Sequence, residues 1–478
     1  MTLTYALAWV LPWLTGTGIC VALNRGLRSR GDLAAAAGAG FIVGLVVVAL
    51  IASMIAGAET TRAFARVAPW LSAVGVLAWV AAFAMRGRHE LRIDTGWAPG
   101  WRLLWWLLVA GILLRLGMLG SEALLRPTFP WDAWSAWAVK PKTWFLLDQH
   151  VAYVPTADWL AQSALPQRTS AVWEYPELLA WIQVWFASAA GSWNEPFINI
   201  VWTGVLGAIA LASYGQWRVL GLRPMFAMVL TYALVSLPLL GAHVALAGYA
   251  DLWLAAVFGL VTLSWVRWIR RREPGQLALA IALALCMPYI KLEGAVWLLL
   301  FSLVFLFGLL PRRWRWIAIA IATLLAAIGF VFGGFVFPML GLGWVSVSWG
   351  RIGIPALGSL DLHWRPVGTQ MLSGLLTLPN WHLLWYLVPA VLVWRWQVLV
   401  ADRAARSLAM LLACCAVFLF VLFFFTEASA WAENYTSANR LILHLVPAVF
   451  SLLGLLLARA FPGSEDTAPA RHVPIARA

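Results

Sequence analysis

Apolar runs of roughly 20 residues, set apart by short connections that carry arginines, recur along the whole chain, and this alternation constrains its fold more than any other feature. A run of that length crosses the hydrocarbon core of a bilayer as an α-helix, the one single-segment structure that satisfies its own backbone hydrogen bonds in lipid. Runs fall near 3 to 23, 33 to 57, 69 to 85, 103 to 120, 196 to 215, 225 to 247, 251 to 268, 277 to 290, 294 to 310, 316 to 338, 381 to 396, 407 to 425 and 441 to 460. The expectation is an all-α polytopic membrane protein with about thirteen transmembrane helices. Charged residues make up only 11% of the chain, against about 25% in a soluble globule, which excludes that class.

The net charge of +13 does not point to nucleic acid, because the arginines sit in short clusters between apolar runs, where cytoplasmic loops carry their anchors. The first run has no basic residue before it and Arg25, Arg28 and Arg30 after it, the reverse of a cleavable signal peptide. With the N-terminus outside, the clusters Arg86/Arg88/Arg92/Arg102, Arg218/Arg223, Arg267/Arg270/Arg271/Arg272, Arg312/Arg313/Arg315 and Arg395/Arg403/Arg406 all fall inside. The agreement requires that 175 to 190 not cross. That segment is short, carries Trp181, Trp185 and Phe186, and is expected as an interfacial helix.

This topology divides the chain into three additional N-terminal helices (1 to 102), a membrane core (103 to 338) with a large extracytoplasmic loop at 121 to 195, and a C-terminal part (339 to 478). The last holds a Gly/Pro-rich outer loop at 340 to 380, expected as a partly ordered lid or acceptor loop, and a polar tail from Pro462, expected to be disordered and cytoplasmic. Cys20, Cys286, Cys414 and Cys415 lie within apolar runs and are read as small core residues rather than disulfide partners.

Of 33 basic residues only Lys140, Lys142 and Lys291 are lysines, and the topology puts all three outside, where positive charge is normally depleted. A ligand is the simplest reason. Asp132 stands in PTFPWDAWSAWAVKPKTWF, with Trp131, Trp134 and Trp137 expected on one helical face. A carboxylate in such a setting suits a general base, or else an interfacial helix whose acid pairs with Lys140 or caps the helix start. Asp251 opens a span after GYA, where a helix dipole also favours an acid. Lys291 and Glu293 occupy the short turn YIKLEGA, as substrate-path charges or as a mutual ion pair. Arg440 and His444 are one turn apart in NRLILHLVPA; the arginine fork suits a phosphate, whereas a histidine on an apolar face is more often a core residue. Asp361 and His363 have no third ligand nearby, so no metal site is expected there.

Taken in order, the acid at the start of a long outer loop, the aromatic YPxL segment at Tyr175 and Pro176, the GYAD turn before a later span, the Lys-x-Glu-Gly hairpin and RLILHLVPA resemble the bacterial GT-C membrane glycosyltransferases. The likeness is to the polyprenyl-phosphate-sugar-dependent enzymes akin to the aminoarabinose and protein O-mannosyl transferases, over about residues 103 to 310. The resemblance implies a GT-C fold in a bacterial inner membrane with the active site on the periplasmic side, Asp132 as the catalytic base, and Asp251 and Lys291 as its later acid and hairpin lysine. Two departures stand out: the usual double proline is Pro176 followed by Glu177, and Glu174 replaces an aspartate or a His-Asp pair.

The chemistry of such a reaction fits these residue types. A polyprenyl-phosphate sugar presents an anomeric carbon with an anionic leaving group, so its site needs a base for the incoming hydroxyl and fixed cations for the departing oxygen. Asp132 is the candidate base; Lys291 and Arg440, with Lys140 or Lys142, are candidates for the phosphate. Trp131, Trp134, Glu174, Tyr175, Asp251, Glu293 and His444 are candidates to line the donor and acceptor sites. Direct displacement inverts the anomeric configuration; it requires no cofactor and leaves room for a divalent cation. The acceptor, whether lipid, glycan or protein, is open. Two other classes compete: a lipid-linked sugar flippase, which calls for midplane charges and an internal repeat, and a glycan ligase or polymerase using a diphosphate carrier, which calls for an arginine-rich outer loop.

Overall fold

The computed structural model describes residues 3–85, 99–161, 166–339, 343–348, 350–354 and 358–458. Arg86, Arg88, Arg92 and the tail from Pro462 lie outside the described residues. The molecule is 77% helical, and it is a multi-pass membrane protein. Among the described residues, eight helices are long and apolar enough to cross a bilayer, or nine if one bent pair is a single span. Helices also form at the other expected runs, but Pro274–Cys286, Glu293–Leu309 and Leu384–Trp394 are short, so helix length alone supports a smaller count than thirteen.

The first three helices, α1 (Leu3–Leu23), α2 (Arg30–Ile55) and α3 (Ala63–Ala84), pack through small residues. A Cβ added at Gly44 would lie 1.7 Å from the Pro12 carbonyl oxygen of α1, so only glycine permits that approach. Ser29 caps α2 by accepting from the Asp32 amide. Asp32 in turn accepts from Arg267 at 2.8 Å, with both side chains buried, and Gln276 donates to Asn24 at 2.6 Å. The described helices of residues 1 to 102 share contacts with the core of the rest.

After α4 (Pro99–Leu125) comes the segment expected outside, with α5 (Val139–Leu147) and α6 (Leu178–Ala190). At 13 residues and 1.5 Å per residue, α6 is too short to span, as expected. Almost every one of its residues is buried, packed against α1, α2 and α3. The Trp185 indole donates to the Ala8 carbonyl at 3.0 Å, and the Phe64 amide donates to Ser188. Its aromatic residues face protein, because the N-terminal helices cover the surface that lipid would otherwise take.

Next come α7 (Val201–Val219) and the bent pair α8 (Pro224–Val235) and α9 (Pro238–Ala245), which meet at 57°. Leu237, held extended before Pro238, breaks the ladder. Arg115 of α4 donates to the freed carbonyls of Val235 and Leu237 at 2.8 and 3.2 Å, which lets the break sit inside the protein.

The central element is α10 (Asp251–Arg271), buried along nearly its whole length. It is followed by α11 (Pro274–Cys286), α12 (Glu293–Leu309), α13 (Arg312–Phe332), α14 (Leu384–Trp394), α15 (Arg403–Phe425) and α16 (Ala438–Leu457). The 340 to 380 region departs from an irregular loop. Strands β1 (Gly334–Met339), β2 (Gly343–Ser348), β3 (Arg351–Ile354) and β4 (Gly358–Asp361) form an antiparallel sheet in sequence order.

One end of α10 gathers the arginine clusters. Arg270 pairs with Asp402 at 2.6 Å, Arg28 with Glu273 at 3.2 Å, and Arg403 donates to the Gly308 carbonyl. The other end of α10 holds Asp251 and the candidate site.

Candidate functional site

Asp132 precedes a single π-helical turn, Ala133–Trp137, closed by the Ala138 amide donating to the Ala133 carbonyl at 2.7 Å. The widened turn undoes the expected three-tryptophan face. Trp137 is buried and stacks on Tyr175 at 4.7 Å, whereas Trp131 and Trp134 are exposed and meet edge to face at 5.1 Å. Single π-turns are frequent where a side chain must be re-aimed at a functional site.

Gly248 brings this turn to the membrane helices. Its φ of +107° suits glycine, and a Cβ there would lie 2.5 Å from the Ala133 Cβ. The loop before α10 can thus abut the residue that follows Asp132. The hairpin between α11 and α12 is equally tight: a Cβ on Gly294 would fall 2.0 Å from the Met287 carbonyl oxygen, and the Gly294 amide donates to the Lys291 carbonyl. That turn presents Lys291 and Glu293 on one side.

These elements converge on Asp251, which has no exposed surface. Its Oδ1 accepts from Lys291 Nζ at 2.8 Å and from His444 Nε2 at 3.0 Å. Its Oδ2 accepts from Arg440 Nε at 3.0 Å and Nη2 at 2.8 Å. Arg440 Nη1 also donates to Asp132 at 2.5 Å, and its guanidinium lies 4.5 Å from the centre of the Tyr249 ring. Lys291 reaches Glu293 at 2.8 Å. Asp132 and Lys291, expected to share one site, therefore do so through Asp251 and Arg440.

Trp297 fixes the histidine. Its indole N–H donates to His444 Nδ1 at 3.1 Å, and an indole only donates. His444 Nδ1 must then accept, which leaves the proton on Nε2 to donate to Asp251. The histidine is neutral in this arrangement, and the cluster sets three carboxylates, Asp132, Asp251 and Glu293, against the two cations Lys291 and Arg440. Burial disfavours the Lys291 ammonium, but Asp251 and Glu293 more than offset it and hold its pKa above the usual lysine value. Burial pushes the phenols of Tyr249 and Tyr175 up, so both stay neutral.

Accessibility separates the members. The Asp132 side chain is 36% exposed, that of Arg440 17%, and that of Lys291 6%. Asp132 is the most exposed acid of the cluster, Glu293 follows with its side chain 28% exposed, and Asp251 and His444 have no exposed side-chain surface.

The structure does not bring Lys140 and Lys142 to this cluster. Lys140 is buried and donates to the Trp173 and Tyr175 carbonyls at 2.7 and 2.5 Å, while lying 5.6 Å from the Tyr153 ring centre. Burial lowers its pKa, against the pull of Glu177 and Glu174. Lys142 pairs with Glu195 at 2.9 Å. Expected to hold phosphate, both instead bond within the segment between α4 and α7: Lys140 to two backbone carbonyls, Lys142 to Glu195 in an exposed pair. Lys140 still serves the site indirectly, by fixing Tyr175, which lies in the electrostatic field of Lys291, Glu293, Asp132 and Arg440. Glu174 is exposed.

Tyr249 and Trp297 are members that sequence reasoning passed over. Tyr249 stands two residues before Asp251, and Trp297 one helical turn after Glu293, so each lay within reach of a recognised candidate. Asp361 faces Arg351 at 3.5 Å. Among the described residues no three His, Cys, Asp or Glu side chains gather as a metal site. Comparison with family models, curated proteins and solved structures finds no match to this chain.

Proposed function

We propose that the protein is an inverting glycosyltransferase of the GT-C type that moves a sugar from a polyprenyl-phosphate donor to an acceptor hydroxyl at the periplasmic face of a bacterial inner membrane. The observation that carries this reading is Arg440, which holds the partly exposed Asp132 and the buried Asp251 together beside Lys291. A base and two cations thus share one site, next to two exposed indoles, Trp131 and Trp134, on which a sugar ring or an isoprenoid chain can rest.

The acceptor oxygen attacks the anomeric carbon as Asp132 takes its proton, and the bond between that carbon and the phosphate oxygen breaks, its electrons leaving with the polyprenyl phosphate. Arg440 and Lys291 meet the charge that develops on the departing oxygen. Asp251 has no surface to offer a substrate; it keeps both cations oriented, and His444 and Trp297 keep Asp251 oriented in turn. The resting pair of Asp132 with Arg440 implies an order. A donor phosphate competes for Arg440 Nη1 and so releases the Asp132 carboxylate to act as a base. The donor binds first.

Purified protein given a synthetic polyprenyl-phosphate sugar tests the reading. Release of free polyprenyl phosphate with a product of inverted anomeric configuration is expected. Turnover of diphosphate-linked donors alone would transfer the assignment to the ligase class.

A further inference from the structure

A second site lies at the far end of α12. A cavity of about 580 Å³ is lined by Arg312, Arg315 and Arg406 together with Leu310, Trp316 and Ile319. We infer that it holds the phosphate headgroup of an anionic membrane phospholipid, with the acyl chains lying along Leu310, Trp316 and Ile319.

Charge is the first argument. Three arginines elsewhere on this end of the molecule are matched with acids, Arg267 with Asp32 and Glu273, Arg28 with Glu273 and Arg270 with Asp402, while Arg271 and Arg395 donate to backbone carbonyls. Among the described residues no carboxylate pairs with Arg272, Arg312, Arg315, Arg403 or Arg406. Arg403 lies near Arg272, Arg315 and Arg406, and its chain neighbour Asp402 is already paired with Arg270. Gathering like charges is unfavourable unless an anion joins them.

Geometry is the second. Arg315 donates to the Leu310 and Gly308 carbonyls at 2.8 and 2.9 Å, and Arg403 donates to the same Gly308 carbonyl at 3.2 Å. Two guanidinium groups are thus drawn to one point at the helix C-terminus, whereas arginines that merely anchor a loop can spread into water. The cavity has the size of a small-ligand site. Trp316 and Ile319 are exposed on its rim, as residues facing acyl chains would be. Basic pockets between membrane helices on the cytoplasmic side suit anionic headgroups, and the apolar wall favours a lipid over a free phosphate.

The test uses the full-length protein, delipidated and placed in nanodiscs of phosphatidylcholine, titrated with phosphatidylglycerol carrying brominated tails. The signal is the part of the tryptophan quenching that disappears in Trp316→Phe. Saturable quenching by phosphatidylglycerol, absent with brominated phosphatidylcholine, is expected. Arg312→Gln with Arg406→Gln should weaken it about thirtyfold, from roughly fivefold per arginine near a membrane surface, while Arg168→Gln in the outer segment leaves it unchanged. If the double variant does not fold, competition on the wild type serves instead: excess inorganic phosphate should not displace the lipid. Equal quenching by both lipids, an unaffected double variant, or displacement by inorganic phosphate would each overturn the assignment.

Discussion

Arg440 donates from both Nε and Nη2 to a single oxygen of Asp251 and from Nη1 to Asp132, so one guanidinium fixes the spacing between an inaccessible carboxylate and an accessible one. The two acids come from segments 119 residues apart in the chain, and the planar fork sets their separation. Lysine offers the same charge without that fork.

Arg440→Lys is therefore expected to retain the fold and to lower the rate of sugar transfer by on the order of 10²-fold, the scale of losing one oriented donor to a developing oxyanion. The fall should appear in kcat more than in donor affinity. Parallel assays of turnover and donor binding check this; an Arg440→Lys protein with wild-type kcat would show that the fork is not needed.

Asp251→Ala should act on stability first. It leaves Lys291 and Arg440 in a buried site without their shared partner, a change that costs about 3 to 5 kcal/mol when one member of a buried pair is removed. Unfolding in mixed detergent micelles measures it. A loss under 1 kcal/mol would mean that solvent reaches the cluster.

Lys291 makes stability depend on pH in a defined direction. Its pKa in the fold lies above that of the unfolded chain, so its contribution is complete below the ordinary lysine value of about 10.4 and is lost as pH rises through the folded value. The difference in stability between wild type and Lys291→Met should be flat from pH 7 to about 9 and shrink above the lysine range. A difference that grows between pH 7 and 9 instead would indicate a lysine with a lowered pKa.

Lys142→Met is expected to leave turnover within about twofold and to cost under about 1 kcal/mol, since its pair with Glu195 is an exposed one. A cysteine at the same exposed position should react with an impermeant thiol reagent in intact spheroplasts. Labelling only after lysis would place the cluster on the cytoplasmic side.

The helices at the apolar runs were legible because hydropathy is a local property, and so was the pairing of arginines with one end of the molecule. The cluster was legible in part: Asp132, Asp251, Lys291, Glu293 and Arg440 each stand out as isolated charges beside apolar runs. What joins them was not, because helical spacing says nothing about the partner across a contact. The indole of Trp297 on His444 and the ring of Tyr249 under Arg440 are contacts of that kind. Lys140 misled for the opposite reason: rarity suggested a ligand, and the ammonium had found two backbone carbonyls. The burial of α6 beneath α1, α2 and α3 and the four-stranded sheet depend on long-range packing and strand pairing, which a short aromatic stretch or a Gly/Pro-rich one does not disclose.

The central claim is that Asp132 is the base of a transfer reaction in a site prepared by Arg440. Asp132→Asn keeps the side-chain shape and an oxygen that can still accept from Arg440, and removes the capacity to take a proton. Assayed with a synthetic polyprenyl-phosphate sugar, it should bind donor at least as tightly as the wild type, because the neutral amide competes less for Arg440, and lose turnover by about 10²- to 10⁴-fold. Turnover of Asp132→Asn at the wild-type rate would contradict the account.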